Sequence, residues 1–265
     1  MICSKKHIPL CIIIIVFINT SCFFTTKSAF KKNPQLLSEI EADLASDNWS
    51  VRLSGLDKLY NVKEYQKLPE SEQLILQASF DEQALVRVQA VYMLTELNKL
   101  STNSRIITIA QEDVNDNVKW EAIISLGILK ERRSIPLLIE AVESDDWLIR
   151  EAAYKSINRI ALSSDKEQLR HILVNGILDP VNSVKRAALY NIPFYDPDIY
   201  NAIKSVIIQS NIPENLLIAC FNAVAGYALD PIVREVIVNN LANRNPQIRI
   251  YALRTLRQDN KYPKR

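Results

Sequence analysis

The stretch Asn115-Asp116-Asn117-Val118-Lys119-Trp120-Glu121-Ala122-Ile123-Ile124-Ser125-Leu126-Gly127 opens with three polar turn-formers. It then places apolar or small residues at Val118, Ala122, Ile123 and Leu126. Offsets of 0, 4, 5 and 8 share one face of a helix with 3.6 residues per turn, so the spacing predicts an amphipathic helix entered through an amide-rich turn. The same grammar recurs: an aliphatic residue, usually a basic neighbour, a small residue four places after the start, and a second aliphatic four places later. It reads Val51-Arg52 with Gly55 and Leu59, Val86-Arg87 with Ala90 and Leu94, and Ile149-Arg150 with Ala153 and Ile157. It continues as Val184-Lys185 with Ala188 and Ile192, and ends as Ile248-Arg249 with Ala252 and Leu256. A weaker copy starts at Leu217, where Ile218 replaces the basic residue and Phe221 the small one. Successive starts lie 35, 32, 31, 35, 33 and 31 residues apart, a period that belongs to stacked helical repeats.

A second amphipathic stretch precedes each copy, among them Pro34–Ala45, Ser71–Phe80 and Ile135–Val142, so each repeat reads as a helical hairpin. Asn33-Pro34, Asp196-Pro197 and Asp230-Pro231 put an N-cap residue directly before a proline suited to a first helical position. Pro193, just past Ile192, is expected to stop a helix, and Leu97–Asn103 and Ala161–Asp165 to be turns between repeats. No stretch alternates with period two. The expectation is an all-α solenoid of about seven stacked hairpins over residues 33–258, followed by a short basic tail at 259–265.

Composition removes several function classes. Four glycines in 265 residues, none close to another, cannot form a phosphate-cradling loop. His7 and His171 are the two histidines, so no clustered metal site, cofactor site or histidine-based catalytic pair is expected. Charge is balanced, with 32 Lys and Arg against 30 Asp and Glu, and Lys5 and Lys6 fall in the first 21 residues without an acid. The remainder is formally neutral and its charges are interspersed, which gives no electrostatic pull on nucleic acid.

The repeat resembles the HEAT-like family in its short bacterial form, on the residues Asp47-Asn48-Trp49-Ser50-Val51-Arg52, Asn115-Asp116-Asn117-Val118-Lys119 with Leu126-Gly127, and Asp145-Asp146-Trp147-Leu148-Ile149-Arg150. The resemblance covers residues 33–258 and implies a protein-binding solenoid or, alternatively, an enzyme of the same group. Iron-dependent hydroxylases of this fold need repeated His-Glu pairs, and none is present. Alkylation-repair glycosylases need a strongly basic inner face, and a phycobilin-lyase role would need a pigment system. A non-catalytic scaffold is therefore expected.

At the amino terminus, Lys5-Lys6 precede the apolar run Ile8–Ile18, too short for a spanning helix, which needs about 20 such residues. The ending Asn19-Thr20-Ser21-Cys22 resembles a bacterial lipobox, with Asn19 standing where that family usually has Leu. The resemblance implies a signal peptide at 1–21, palmitate-type acylation of Cys22, a tether at 22–32 and membrane attachment through lipid. Phe23 in place of an inner-membrane retention Asp favours the outer membrane of the cell envelope. The alternative is a secreted or periplasmic adaptor without lipid. Cys220 is the cysteine left in the repeat region and is expected to be a buried, inert thiol.

Two sets of repeat positions bear on function. The basic series Arg52, Arg87, Lys119, Arg150, Lys185 and Arg249 suggests an anion stripe, but its recurrence in nearly every repeat favours pairing to acids of the turns, with Asp47, Asp116, Asp145, Asp146 and Asp179 as candidates. Offsets 2 and 6 of the second helix vary between repeats and share a face. In solenoids of this kind that helix lines the concave surface. The offsets place Tyr92, Trp120, Ile124, Arg186 and Tyr190 there, residue types enriched at binding hot spots, so this ridge is the candidate contact for a protein or peptide partner. Completing the contacts between repeats is the alternative use of these aromatics. Trp49 and Trp147 are expected to pack on their turns, and His171 to be a solvated surface residue.

Overall fold

The computed structural model describes residues 33–225 and 227–259; the leader, Cys22 and the tether lie outside these residues, as does the tail from 260. The described residues form fourteen α-helices and no strand. First helices of the hairpins are α1 (Pro34–Leu44), α3 (Pro69–Ala78), α5 (Leu100–Glu112), α7 (Ile135–Ala141), α9 (Lys166–Ile177), α11 (Pro197–Ile207) and α13 (Pro231–Asn239). Second helices, which carry the motif, are α2 (Trp49–Tyr60), α4 (Ala84–Leu97), α6 (Asp116–Ile128), α8 (Trp147–Ile160), α10 (Asn182–Leu189), α12 (Glu214–Val224) and α14 (Pro246–Asp259). Every second helix touches its successor, whereas the first helices meet theirs less closely. The stack is thereby drawn together on the second-helix side, which makes that layer the inner, concave one.

Two boundaries depart from expectation. Leu100–Asn103 is helical, because Asn98 takes a left-handed conformation (φ 47°) that ends α4, and the Lys99 N–H donates to Thr102 Oγ1 at 3.2 Å to start α5. The α10 helix stops at Leu189 rather than Ile192, with Tyr190 extended and Asn191 at φ 52°. Pro193 disfavours helical backbone at the residue before it, so the chain leaves the helix early and Ile192 reaches the core from a loop.

The small residues behave as packing surfaces demand. Val118, Ala122 and Leu126 are fully buried, as are Ala153, Ile157, Val184 and Ala188. Gly127 lies so close to α8 that a Cβ there would sit 2.5 Å from Ser156 Oγ and 2.9 Å from Ser156 Cα, while the Ser156 hydroxyl donates to the Ile123 carbonyl at 2.8 Å. Ala122→Leu and Ala153→Leu are each expected to lower unfolding free energy by about 1–3 kcal/mol through overpacking. Gly127→Ala should also destabilise, although in an open helix alanine is favoured by about 1 kcal/mol. Urea unfolding followed by circular dichroism reads all three, and unchanged midpoints would mean that the helices are not in this contact.

The arginines of the motif form a ladder. Arg52 donates from Nε and Nη2 to both carboxylate oxygens of Asp81 at 2.6 and 2.8 Å, Arg87 to those of Asp113 at 2.7 and 2.7 Å, and Arg150 to those of Asp179 at 2.8 and 3.3 Å. Each acid belongs to the turn of the next repeat. The remaining nitrogen, Nη1, donates to two carbonyls of the arginine's own turn: Ser46 and Asp47, Asp81 and Glu82, or Ser144 and Asp145. One guanidinium therefore closes its own turn and holds the following one, which only a planar five-donor fork can do. The acceptor position lies six residues before the basic residue of its own repeat. There Asp81, Asp113 and Asp179 also accept the N–H two residues on, from Gln83, Asn115 and Val181. The expected partners Asp47, Asp116, Asp145 and Asp146 are not the acceptors; Asp47 and Asp145 contribute carbonyls, and the Asp146 carboxylate caps α8 through the Leu148 N–H at 2.8 Å. The ladder lapses where the next turn lacks the acid. After Lys119 that position is Ser144, and after Lys185 it is Ile212.

Burial pushes the carboxyls of Asp81 and Asp113 up, but the arginine bonds, the N–H donors and nearby positive charge outweigh it and leave both below the ordinary carboxylate range. A lowered native value means stability present above the unfolded value of about 4 and lost as pH falls through the native one. Asp113→Asn keeps the turn bond and removes the charge, and should cost about 2 kcal/mol at neutral pH after allowance for solvent screening. The gap to the unsubstituted protein should stay constant from about pH 7 to 5 and shrink below about 4. Urea titrations across that range measure it; a gap that persists in acid would assign the loss to shape rather than charge.

Candidate functional site

The face at offsets 2 and 6 takes no part in the ladder and is only partly drawn into the core, through Leu53, Val88, Trp120 and Ile124. Tyr92 is 40% exposed and Tyr190 54% exposed; Arg186 is exposed, and Trp120 and Ile124 are half-buried against the core. The adjacent helices α4 and α6 bring Tyr92, Trp120 and Ile124 into one patch. Tyr92 also stands with its ring centroid 5.8 Å from that of Tyr60, their hydroxyls 3.3 Å apart, and the Tyr60 ring lies 5.4 Å from that of the buried Tyr65, tilted at 51°. Arg186 and Tyr190 are not continuous with this patch. Between them and α6 lies α8, which presents Glu151 and Lys155 at the same offsets as an ion pair of 2.6 Å. The expected ridge is thus two surfaces separated by a charged rung.

Charge divides the same way. Around the first surface stand Asp57, Glu96 and Glu121, and burial holds the Glu121 carboxyl above its ordinary value with no cation offsetting it. The Tyr92 hydroxyl is raised, first by its bond to Tyr60 and then by Tyr60, partial burial and the fields of Glu96 and Glu121. Toward the other end the exposed second-helix residues include Arg159, Arg186, Arg254 and Arg257. An apolar, aromatic surface rimmed by acids suits a segment that presents apolar side chains beside cations.

The remaining candidates have structural explanations. Arg52, Arg87 and Arg150 are committed to the ladder, so the basic series forms no continuous anion stripe. Cys220 is fully buried and its thiol is pushed up to about 12 by burial, the state of an inert side chain. His171 is exposed on α9. Trp49 and Trp147 are 41% and 42% exposed at the first position of their helices, more open than turn packing requires. Among the described residues no group of His, Cys, Asp and Glu could hold a metal ion, and no helix is long and apolar enough to cross a membrane.

Sequence reading missed a second aromatic cluster. Tyr195 meets Tyr227 edge to face at 5.1 Å, and the Tyr200 ring also lies 5.1 Å from that of Tyr227, tilted at 36°. Tyr227 Oη accepts the Asp196 N–H, while Tyr200 Oη accepts the Asp230 N–H and donates to its carboxylate. These residues sit in loops and a first helix, outside the repeat motif. The available signal was their recurrence near Asp-Pro turns.

Comparison with known proteins places the architecture. Residues 103–192, which span α6 to α10 and most of α5, match the family model described as HEAT repeats. No curated protein matches the chain. Among solved structures, YibA of Escherichia coli is 18% identical over 82% of this chain and 81% of its own, with a TM-score of 0.61. An archaeal HEAT-like repeats protein from Thermococcus onnurineus is 14% identical over 86% of this chain and 97% of its own, with a TM-score of 0.53. Kap95p, which binds RanGDP, is 14% identical with a TM-score of 0.60; the match takes in 88% of this chain and 35% of Kap95p. At these identities the likeness is one of fold: an α-solenoid of HEAT-like repeats.

Proposed function

We propose that the protein is a non-catalytic interaction scaffold whose concave face, centred on Trp120, binds a protein or peptide segment carrying apolar side chains beside cations. One observation carries this reading: repeating positions are consumed by the core and the ladder, while the variable offsets hold the partly exposed Tyr92 and Trp120 beside Glu121, whose carboxyl no cation offsets. The exposed His171 and the inert Cys220 add no catalytic pair to it. Kap95p, a protein of this fold, binds another protein, which supports the same use for this chain. The scaffold is tethered to the bacterial cell envelope, on the outer membrane, through acylated Cys22, as the lipobox-like Thr20-Ser21-Cys22 suggests.

A photoreactive benzoylphenylalanine at Ile124 should crosslink a discrete partner, and the crosslink should vanish in Trp120→Ala. The same probe at Gln168, exposed on α9, should give none. Equal crosslinking from both positions, or a crosslink that survives Trp120→Ala, would contradict the reading. The anchor has its own test. Intact mass of membrane-extracted protein should show a chain starting at Cys22 with added acyl mass, absent in Cys22→Ala, and an unacylated mass would remove it.

A further inference from the structure

Offset 5 of the motif helix belongs to the contact between one hairpin and the next. Leu56, Val91, Ile123, Tyr154 and Leu189 hold it in the first five hairpins, and each is at most 3% exposed. Tyr154 shows the cover: its hydroxyl donates to the Ile172 carbonyl on α9, in the following hairpin, at 3.1 Å. Among the described residues no hairpin follows α14, and Leu253 at the same offset is 43% exposed. Arg249 repeats the pattern. Its Nη1 holds the Asn243 and Arg244 carbonyls, but Nε and Nη2, which in Arg52, Arg87 and Arg150 grip the next turn, have no partner among the described residues.

The first hairpin is open on the matching side. Leu36 stands ten residues before the acceptor position of the ladder and is half-buried, whereas Ser71, Ser134, Leu169 and Val233 at that place are fully buried. Asp47 is exposed, and its carboxylate has no partner among the described residues. It occupies the place of Glu82 one repeat later, where Arg52 Nη2 crosses the repeat boundary to Glu82 Oε1 at 3.2 Å. The two ends also differ in charge. Residues 33–60 hold five acids and two bases, and residues 231–259 hold five arginines and two acids.

We propose that copies of this chain stack head to tail, the last hairpin of one on the first hairpin of another, with Arg249 gripping Asp47 of the second copy. Charge selects this arrangement. Two last hairpins would set arginine against arginine, and two first hairpins acid against acid, so neither end suits a two-fold pair. The segment 260–265 carries Lys261, Lys264 and Arg265 and is a poor match for the arginines of the last hairpin, which favours a second copy as the occupant. Ser46 at the first acceptor position is no obstacle, because Ser144 holds that position in the fourth hairpin and α6 still packs on α8. The contact repeats the one between hairpins within the chain and leaves one end of each kind free, so association continues without closing. It lies apart from the Trp120 surface and does not depend on it.

Sedimentation equilibrium of the detergent-extracted full chain, with the detergent density-matched, tests the assignment. The average mass should rise with concentration to at least about twice that of one chain, with no plateau at the dimer. Asp47→Arg, Arg249→Asp and Leu253→Glu should each hold it at one chain, with circular dichroism melts confirming folded protein. All three side chains are exposed, and Leu253→Glu leaves the Arg249 turn bonds in place. Asp47→Arg combined with Arg249→Asp should restore association, because the reversed pair attracts again. Trp120→Ala should change nothing, which separates this contact from the concave one. The proposal falls if the unsubstituted chain stays monomeric at every concentration, or if its mass stops at the dimer. It also falls if the folded single variants associate like the parent, if the double variant stays monomeric, or if Trp120→Ala abolishes association, which would move the contact to the concave face.

Discussion

A guanidinium that closes the turn of its own repeat while gripping a carboxylate of the next one fixes the register of this stack. At Arg52, Arg87 and Arg150 the Nε and Nη2 groups reach across to Asp81, Asp113 and Asp179, and Nη1 holds the carbonyls behind it. Because Asp81 offers its carboxylate to Arg52 and its carbonyl to Arg87, consecutive rungs share one residue and position each other. Arg249, in the final hairpin, keeps the inward half of the arrangement, donating to the Asn243 and Arg244 carbonyls. A lysine cannot make both grips at once. Lys119 and Lys185 stand where the next turn offers Ser144 and Ile212 instead of an acid.

Once turns and core are committed in this way, the side chains left over are the ones that differ between repeats. They give the inner layer an acid-rimmed aromatic surface at one end and a cationic stretch toward the other, divided by the Glu151–Lys155 pair. Irregularity supplies the rest. Pro193 shortens α10, Asn191 takes a left-handed conformation, and the described residues lining the gap so formed include Tyr195, Tyr227 and the side-chain amides of Asn191, Asn222 and Gln258. Repetition builds the scaffold, and departures from it make the surfaces.

Much of the fold was legible in the sequence because the stripe at offsets 0, 4, 5 and 8 needs no long-range knowledge. Val118, Ala122 and Leu126 are buried as the periodicity requires. Ladder partners were less legible. The rule that places Asp81, Asp113 and Asp179 six residues before the basic residue of their own repeat shows only when aligned turns are set against the preceding arginine. Nearer acids such as Asp47 and Asp146 lie within the same turns, where the first accepts through its backbone carbonyl and the second caps a helix. The division of the ridge was also hidden, because offsets alone do not say that α8 interposes an ion pair. The groove beside Tyr195 was not legible, since Asn191 and Ile192 line it as loop residues where the motif predicts helix.

Installing a rung where the chain lacks one isolates the ladder from everything else. Ser144 already occupies the acceptor position, its hydroxyl taking the Asp146 N–H at 3.2 Å as the acids do elsewhere, so an aspartate there meets a prepared turn. Urea unfolding of Lys119→Arg, of Ser144→Asp and of the combination gives their coupling. The expected result is a double variant more stable than the sum of the single changes by at least about 1 kcal/mol. Strict additivity, with no coupling between the new arginine and the new acid, would contradict the guanidinium's role as the clasp between successive repeats.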